Sequence, residues 1–217
     1  MNTPIPRTIL PFALVFFGLF LQGTQAEAEE RKAYFAGGCF WCVESDFEAL
    51  AGVREVVSGY TGGTTANPTY KAVTKGGTGH YEAVEISYDD SVIGYDQLLH
   101  HFFRSVDPTD DGGQFCDRGD SYRTAVFVSN SAERAAAEMA KDEAERDLGR
   151  MIVTPVLDAS RFYVAEDYHQ DYYKSKELVL TRRGPKSKAN AYKFYRKACR
   201  RDDRVRQLWG DAAPFAG

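Results

Sequence analysis

Cysteine is scarce in this chain, and the spacing that would bind a metal is missing. Four cysteines stand in 217 residues. Only Cys39 and Cys42 are close in sequence, while Cys116 and Cys199 each stand alone. A structural zinc needs a second ligand pair at comparable spacing, so the pattern weighs against one. The four histidines, His80, His100, His101 and His169, form no metal-like cluster either, and no metal site is expected. Positive charge is not in excess: Lys+Arg 27 against Asp+Glu 31 leaves a net charge of −4. That balance argues against general nucleic-acid binding, despite a basic cluster from Lys186 to Arg206. Internal repeats and low-complexity linkers are absent, which leaves one domain with a full hydrophobic core. No apolar run reaches the roughly 20 residues of a membrane-spanning helix; the longest, Ile9 to Leu21, has about 13.

The informative stretch is Gly37-Gly38-Cys39-Phe40-Trp41-Cys42-Val43-Glu44. Residues 32–36 read as a short buried strand, and the two glycines supply a tight turn out of it. From Trp41 through Val43, Phe47 and Leu50, apolar residues recur at helical spacing. Cys39 therefore falls at a helix N-terminus, where free N–H groups and the positive dipole end favour an anionic sulfur and a lowered thiol pKa. Two other readings stand beside this one. Cys39 and Cys42 are small buried hydrophobes, or they are the redox pair of a thiol-disulfide oxidoreductase.

Gly-Cys-Phe-Trp followed two residues later by Glu resembles the active-site signature of the A-type peptide methionine sulfoxide reductases. Further blocks agree in order: Gly59-Tyr60-Thr61-Gly62-Gly63, Asn67-Pro68-Thr69-Tyr70, Gly79-His80 with Glu82, Asp117 with Tyr122-Arg123, and Ala165-Glu166-Asp167-Tyr168-His169-Gln170. The resemblance covers most of the chain from about residue 32 to residue 175. The family commonly has Gly where this chain has Cys42, which leaves the nucleophile intact and bears on how it is recycled.

Reducing a sulfoxide needs a nucleophile at sulfur and a proton at oxygen. The resemblance implies Cys39 as the nucleophile, Phe40 and Trp41 as walls of a pocket for the methyl group, and Asp117 as a contact to the substrate backbone. It also implies Tyr70 and Tyr122 as hydroxyls on the oxygen and Glu82 as proton donor. The strand pattern alone leaves Glu82 as either a buried acid or a member of an ion pair at a strand end. Glu82 shares one face with Val84, Ile86 and Tyr88, and burial there would keep it protonated near neutrality. His169 reads as scaffold or pocket support.

Oxygen transfer leaves a sulfenic acid on Cys39, which a second thiol condenses with. Cys42 is one helical turn away. Cys199 lies in a late segment similar in position to the tails that carry resolving cysteines in family members, and would reach the pocket on a flexible tail. Cys116, next to Asp117, is the less favoured third candidate. No bound cofactor is expected; an external dithiol, from a thioredoxin-like partner, must return the cysteines to thiols. Substrates are oxidised proteins or peptides bearing methionine sulfoxide, or the free amino acid. A non-enzymatic sulfoxide-binding module would keep the pocket without Cys39.

At the N-terminus, Arg7 is the only charge before Glu27, and small residues precede two cleavage points, after Ala26 or Ala28. Residues 1–26 thus read as a signal peptide, with an uncleaved anchor as the alternative. The enzyme is expected in the periplasm or outside the cell, with no stable membrane span after processing. Residues 27–185 form the catalytic domain and 186–217 a C-terminal tail. Strands are predicted near 32–36, 53–60, 80–88, 123–128, 153–157 and 162–164. Helices are predicted from 41, over 95–104 and 131–148, and from about 165. Separated helices and strands suggest an α+β two-layer sandwich, and the resemblance implies a ferredoxin-like core with long irregular segments.

Overall fold

A computed structural model describes, apart from Met1, residues 30–216; the expected signal peptide lies outside the described residues. In chain order the elements are β1 (Glu30–Gly37), α1 (Phe40–Phe47), β2 (Val53–Thr61), α2 (Tyr70–Lys75), β3 (Tyr81–Asp89), α3 (Tyr95–Phe103), β4 (Gly113–Gln114), β5 (Asp117–Arg118) and β6 (Thr124–Val128). There follow α4 (Ser131–Leu148), β7 (Val156–Asp158), β8 (Tyr163–Val164), β9 (Leu178–Thr181), β10 (Gly184–Ser187), α5 (Lys188–Ala198) and α6 (Arg201–Trp209). Six strands make one sheet in the order β7-β6-β1-β3-β2-β8, antiparallel except for β6 against β7.

The alternation of β1, β3 and β6 decides what each face packs against. Phe35 is in register with Val84 on one side and Val126 on the other, and all three are buried in the main core. Helices α1, α3 and α4 supply the opposite wall of that core through Phe47, Leu98, Phe102, Ala137 and Ala144. The opposite parity, Ala36, Ala83, Ala125 and Phe127, forms a smaller cluster closed by Leu157 and Phe162. The α+β two-layer class expected from the sequence is therefore the class observed. β1 is a central strand, so the Gly37-Gly38 turn at its end delivers Cys39 into the interior. Gly38 has φ +83°, and a Cβ there would lie 2.6 Å from Gln114 Cβ; one on Gly37 would lie 2.9 Å from Val43 Cγ2.

Two expectations are corrected. No α-helix starts near Ala165; one turn of 3₁₀ helix covers Asp167–His169. The backbone there bonds outward instead of to itself: Ala165 N–H donates to Ser58 O at 2.9 Å, and Asp171 N–H to Glu44 Oε1 at 2.6 Å. Gln170 Nε2 donates to Ala165 O, which a helix would have used. The segment from 186 onward is not a loose tail but a strand and two helices packed on the domain. Val205 and Trp209 are buried, and Arg201 is only 2% exposed.

Arg201 explains how this segment is held. Its Nη1 donates to Gly37 O and its Nη2 to Ser105 O, each at 3.0 Å, and its guanidinium lies 4.7 Å over the Phe115 ring. Its Nε is 3.8 Å from Asp46 Oδ2, while Arg196 donates to Asp46 Oδ1 at 2.6 Å. Among the described residues no helix is long and apolar enough to cross a membrane. Arg201→Ala leaves Asp46 and two buried carbonyls underpaired, and should cost about 3–5 kcal/mol. A urea midpoint equal to that of the wild type would show that α6 does not depend on this arginine.

Candidate active site

Cys39 is the N-cap of α1, with φ −53° and ψ 118°, and its carbonyl accepts the N–H groups of Cys42 at 3.0 Å and Val43 at 3.4 Å. The first free N–H of the helix, that of Phe40, donates to Glu82 Oε2 at 3.2 Å. That bond brings the carboxyl group of β3 to the helix start beside Cys39. Glu82 pairs with Tyr60 across β2 and β3 and is 1% exposed.

Burial pushes the Glu82 carboxyl up to about 8; the Phe40 N–H opposes this, Asp117 adds to it, and a hydrogen bond donated by Tyr122 opposes it. Glu82 is therefore protonated at neutral pH, as its place on the apolar face of β3 predicts. Burial raises both phenols, Tyr70 to about 12, and the nearby Glu82 charge adds to each. Tyr70 is positioned by Glu166. One carboxylate oxygen accepts the Tyr70 N–H at 2.9 Å and the other accepts the Tyr60 hydroxyl at 2.9 Å.

The thiols depart from the expectation of a resting thiolate at Cys39. Both cysteines are free and buried, Cys39 at 7% and Cys42 at 2% exposure. Burial drives the Cys39 thiol well up, with Cys42, Glu82 and Asp117 adding to the effect. Cys42 is drawn down by its hydrogen bond with Cys39, against its burial, with help from Arg201 and Arg196. Negative charge in the pair is thus better held at Cys42, on the arginine side. The helix N-terminus favours an anion at Cys39, and burial outweighs it.

The aromatic residues enclose the thiols. Phe40 is buried, with ring centroids 4.9 Å from His169, 5.9 Å from Tyr60 and 6.4 Å from Tyr70. Trp41 stacks on Tyr172 at 3.8 Å and 10°, and its Nε1 donates to His169 Nδ1 at 3.2 Å. Burial lowers His169 to about 4, so its neutral ring accepts that bond at ordinary pH. Asp117, half-buried on β5, accepts the Tyr195 hydroxyl. Burial raises its carboxyl, against the Tyr195 hydrogen bond and Arg201.

The structure thus brings Cys39, Phe40, Trp41, Cys42, Tyr70, Glu82, Asp117 and Tyr122 to one place, and it treats the remaining cysteines differently. Cys199 is joined to Cys116 in a disulfide across 83 residues of sequence. Sequence reasoning missed several contributors. Tyr192 packs with Cys39 and Cys42, and Tyr172, Tyr173 and Tyr195 adjoin that cluster. Tyr192, Tyr195 and Cys199, spaced by three and four along α5, were the legible signal of one helical face. Glu44 was also unassigned. It accepts Ser58 Oγ at 2.5 Å and Asp171 N–H at 2.6 Å, and burial raises it to about 7. Among the described residues, two groups of donor atoms lie close enough to share a cation, Cys116–Asp117–Cys199 and Glu44–Glu48–Asp171. The first is engaged in the disulfide and the Tyr195 bond, the second in bonds to Ser58, Tyr173 and Lys174.

Known proteins share both the sequence and this architecture. The family model for peptide methionine sulfoxide reductase matches residues 31–207. Peptide methionine sulfoxide reductase MsrA 2 of Rhizobium meliloti (strain 1021) is 48% identical over 190 residues, covering 88% of each chain. The MsrA 2 protein of Caulobacter vibrioides is 50% identical over 187 residues, covering 85% of this chain and 88% of its own. Among solved structures, reduced Mxr1 of Saccharomyces cerevisiae superposes with a TM-score of 0.64 at 31% identity, over 67% of this chain and 84% of its own. Methionine sulfoxide reductase A of Corynebacterium diphtheriae gives 0.60 at 30% identity, over 68% and 75%. With a matched family model over most of its length and close relatives along nearly all of it, the chain belongs to the peptide methionine sulfoxide reductase family, in its A-type branch.

Proposed function

We propose that this enzyme reduces methionine S-sulfoxide through Cys39, with Glu82 as proton donor and Cys42 as the resolving thiol. The observation that carries the reading is a buried carboxyl, protonated at neutral pH and bonded to the N–H next to Cys39, with the phenols of Tyr70 and Tyr122 near enough for its charge to act on both. The sulfoxide oxygen is a strong acceptor that gains negative charge as its bond to sulfur weakens. Glu82, Tyr70 and Tyr122 are donors suited to that charge in a site of low dielectric. A thiol-disulfide oxidoreductase using Cys39 and Cys42 has no need of these three groups.

The Cys39 thiol meets the sulfoxide sulfur after giving up its proton, and Cys42 is the neighbour best able to hold that charge or proton. Glu82 delivers its proton to the departing oxygen. The net step converts thiol and sulfoxide into a sulfenic acid on Cys39 and a methionine thioether. Phe40 and Trp41 bound the methyl end, and Asp117 takes the backbone of the substrate. Cys42 then condenses with the sulfenic acid, releasing water and leaving a Cys39–Cys42 disulfide. Cys42 is favoured over Cys199 because it is free, one turn away and buried in one cluster with Cys39, whereas Cys199 is already bonded to Cys116. An external dithiol, supplied by a thioredoxin-like protein, returns both cysteines to thiols and becomes a disulfide itself.

Export is part of the same proposal. Residues 1–26 act as a signal peptide cleaved after Ala26 or Ala28, and the enzyme works in the periplasm or beyond. The Cys116–Cys199 disulfide supports this, since disulfides form and persist chiefly in oxidising compartments. Oxidised proteins and free methionine sulfoxide are the substrates there.

Glu82→Gln should lower sulfoxide turnover by about 10²–10⁴-fold and leave dithiol exchange by Cys39 and Cys42 largely intact; unchanged turnover would remove Glu82 from the mechanism. Because only the protonated carboxyl serves, wild-type kcat/KM should fall as pH rises through about 8, a limb absent in the variant. The stability sign follows from the same shift. A carboxyl raised from 4.5 to about 8 on folding favours the native state fully below pH 4.5 and loses that contribution as pH rises through 8. The wild type should therefore lose stability relative to Glu82→Gln across that window. With thioredoxin as reductant, Cys42→Ser should form about one methionine per enzyme and stop, while Cys199→Ser continues; the reverse outcome would make Cys199 the resolving thiol.

A further inference from the structure

The Cys116–Cys199 disulfide has no part in the cycle above, yet it sits against the substrate contact. Cys116 is exposed and immediately precedes Asp117, and Cys199 is the C-cap of α5, one turn beyond Tyr195. The two sulfurs and a carboxylate oxygen of Asp117 all lie within 4.8 Å of one another. Tyr195 donates its hydroxyl to Asp117 Oδ2. Its ring meets Trp41 edge-on, with centroids 6.2 Å apart and planes at 82°. Neighbouring Tyr192 is buried against Cys39 and Cys42.

α5 itself is not free to drift. Arg196, the next residue, is bonded to Asp46 and Asp202, and Arg201 anchors the start of α6. The partner of α5 in the disulfide is the short β4–β5 hairpin. It turns at Phe115-Cys116, with Phe115 at φ +55°, and its Cys116 and Arg118 are exposed. A disulfide between that hairpin and α5 holds Asp117 at the Tyr195 hydroxyl with a high effective concentration.

Resting on the reading of Asp117 as the contact for the substrate backbone, we propose that Tyr195 is a gating residue. It competes with substrate for Asp117, and the Cys116–Cys199 disulfide sets the strength of that competition. With the disulfide formed, an incoming sulfoxide peptide must displace an intramolecular partner. With it reduced, the hairpin withdraws Asp117 from Tyr195 and offers it to substrate. The reducing step balances with the dithiol that the enzyme already requires. A reductant thiolate attacks exposed Cys116, the S–S bond breaks, and Cys199 leaves as a thiol. The second reductant thiol then releases Cys116, so two electrons and two protons reach the protein and the reductant becomes a disulfide. Substrate affinity thereby follows the supply of reductant.

The test uses full-length Cys39→Ser protein, which cannot turn over, titrated with the S-sulfoxide of N-acetylmethionine methylamide and followed by calorimetry. Reducing the Cys116–Cys199 disulfide should lower Kd by about tenfold, within the usual range of coupling between sites. Tyr195→Phe should give the tighter Kd with the disulfide still formed, and reduction should add nothing further. A Cys116→Ser/Cys199→Ser protein, where the tether is lost without reductant, should match the reduced form. Equal affinity in all forms, or none measurable in any, overturns the gate, as does weaker binding by Tyr195→Phe. Turnover of the same compound by wild-type enzyme checks the reductase reading separately, so failure of the gate and failure of that reading are distinguishable.

Discussion

The site depends on one buried hydrogen bond, from the Phe40 N–H to the Glu82 carboxyl. An α-helix begins with N–H groups that lack intrahelical partners, and this one spends its first on a side chain from the neighbouring strand. The bond ties the acid to the residue next to Cys39, at the point where β1 ends. Burial then decides the charge. An ionised carboxylate in that interior would be expensive, so Glu82 keeps its proton at neutral pH. The same desolvation keeps Cys39 a thiol, and charge is tolerated only toward Cys42, where Arg196 and Arg201 lie. A protonated acid and a protected nucleophile are two results of one cause.

The remainder of the fold serves to keep water out of this arrangement while holding its parts in register. Segment 165–171 is bonded to β2 and α1 through Gln170 and Glu44, which sets His169 under Trp41 and Glu166 under Tyr70. Tyr172 then covers the outer face of Trp41. From the other side, α5 and α6 close the interior with Tyr192 and Tyr195 and neutralise Asp46 with two arginines. Asp46 is the buried carboxylate that needs opposite charge, and the C-terminal helices supply it.

Legibility in the sequence followed local physics. The long helix α4 was readable because its ends are marked. Asn130 accepts Glu133 N–H at the start, and Gly149 closes the end at φ +61°. Glu82 was readable because a carboxyl in phase with Val84 and Ile86 must face the core. What was not readable depended on distant partners. α2 has six residues and begins where Glu166, far along the chain, accepts the Tyr70 N–H. The helix expected from Ala165 lost its backbone bonds to β2 and α1. Cys116 and Cys199 carry no spacing signal across 83 residues, and the basic run of α5 and α6 reads as solvated until Asp46 is found beneath it. The thiolate expected at Cys39 failed because helix position is local and desolvation is not.

The central claim is that Glu82 holds a proton at neutral pH in the enzyme with free thiols. It is tested most directly by carbon-13 labelling of glutamate carboxyl groups and NMR titration of the resonance that disappears in Glu82→Gln. A midpoint near 8 is the result this account predicts. A midpoint near the ordinary 4.5 would contradict it, leaving a carboxylate at Cys39 and no acid to meet the sulfoxide oxygen.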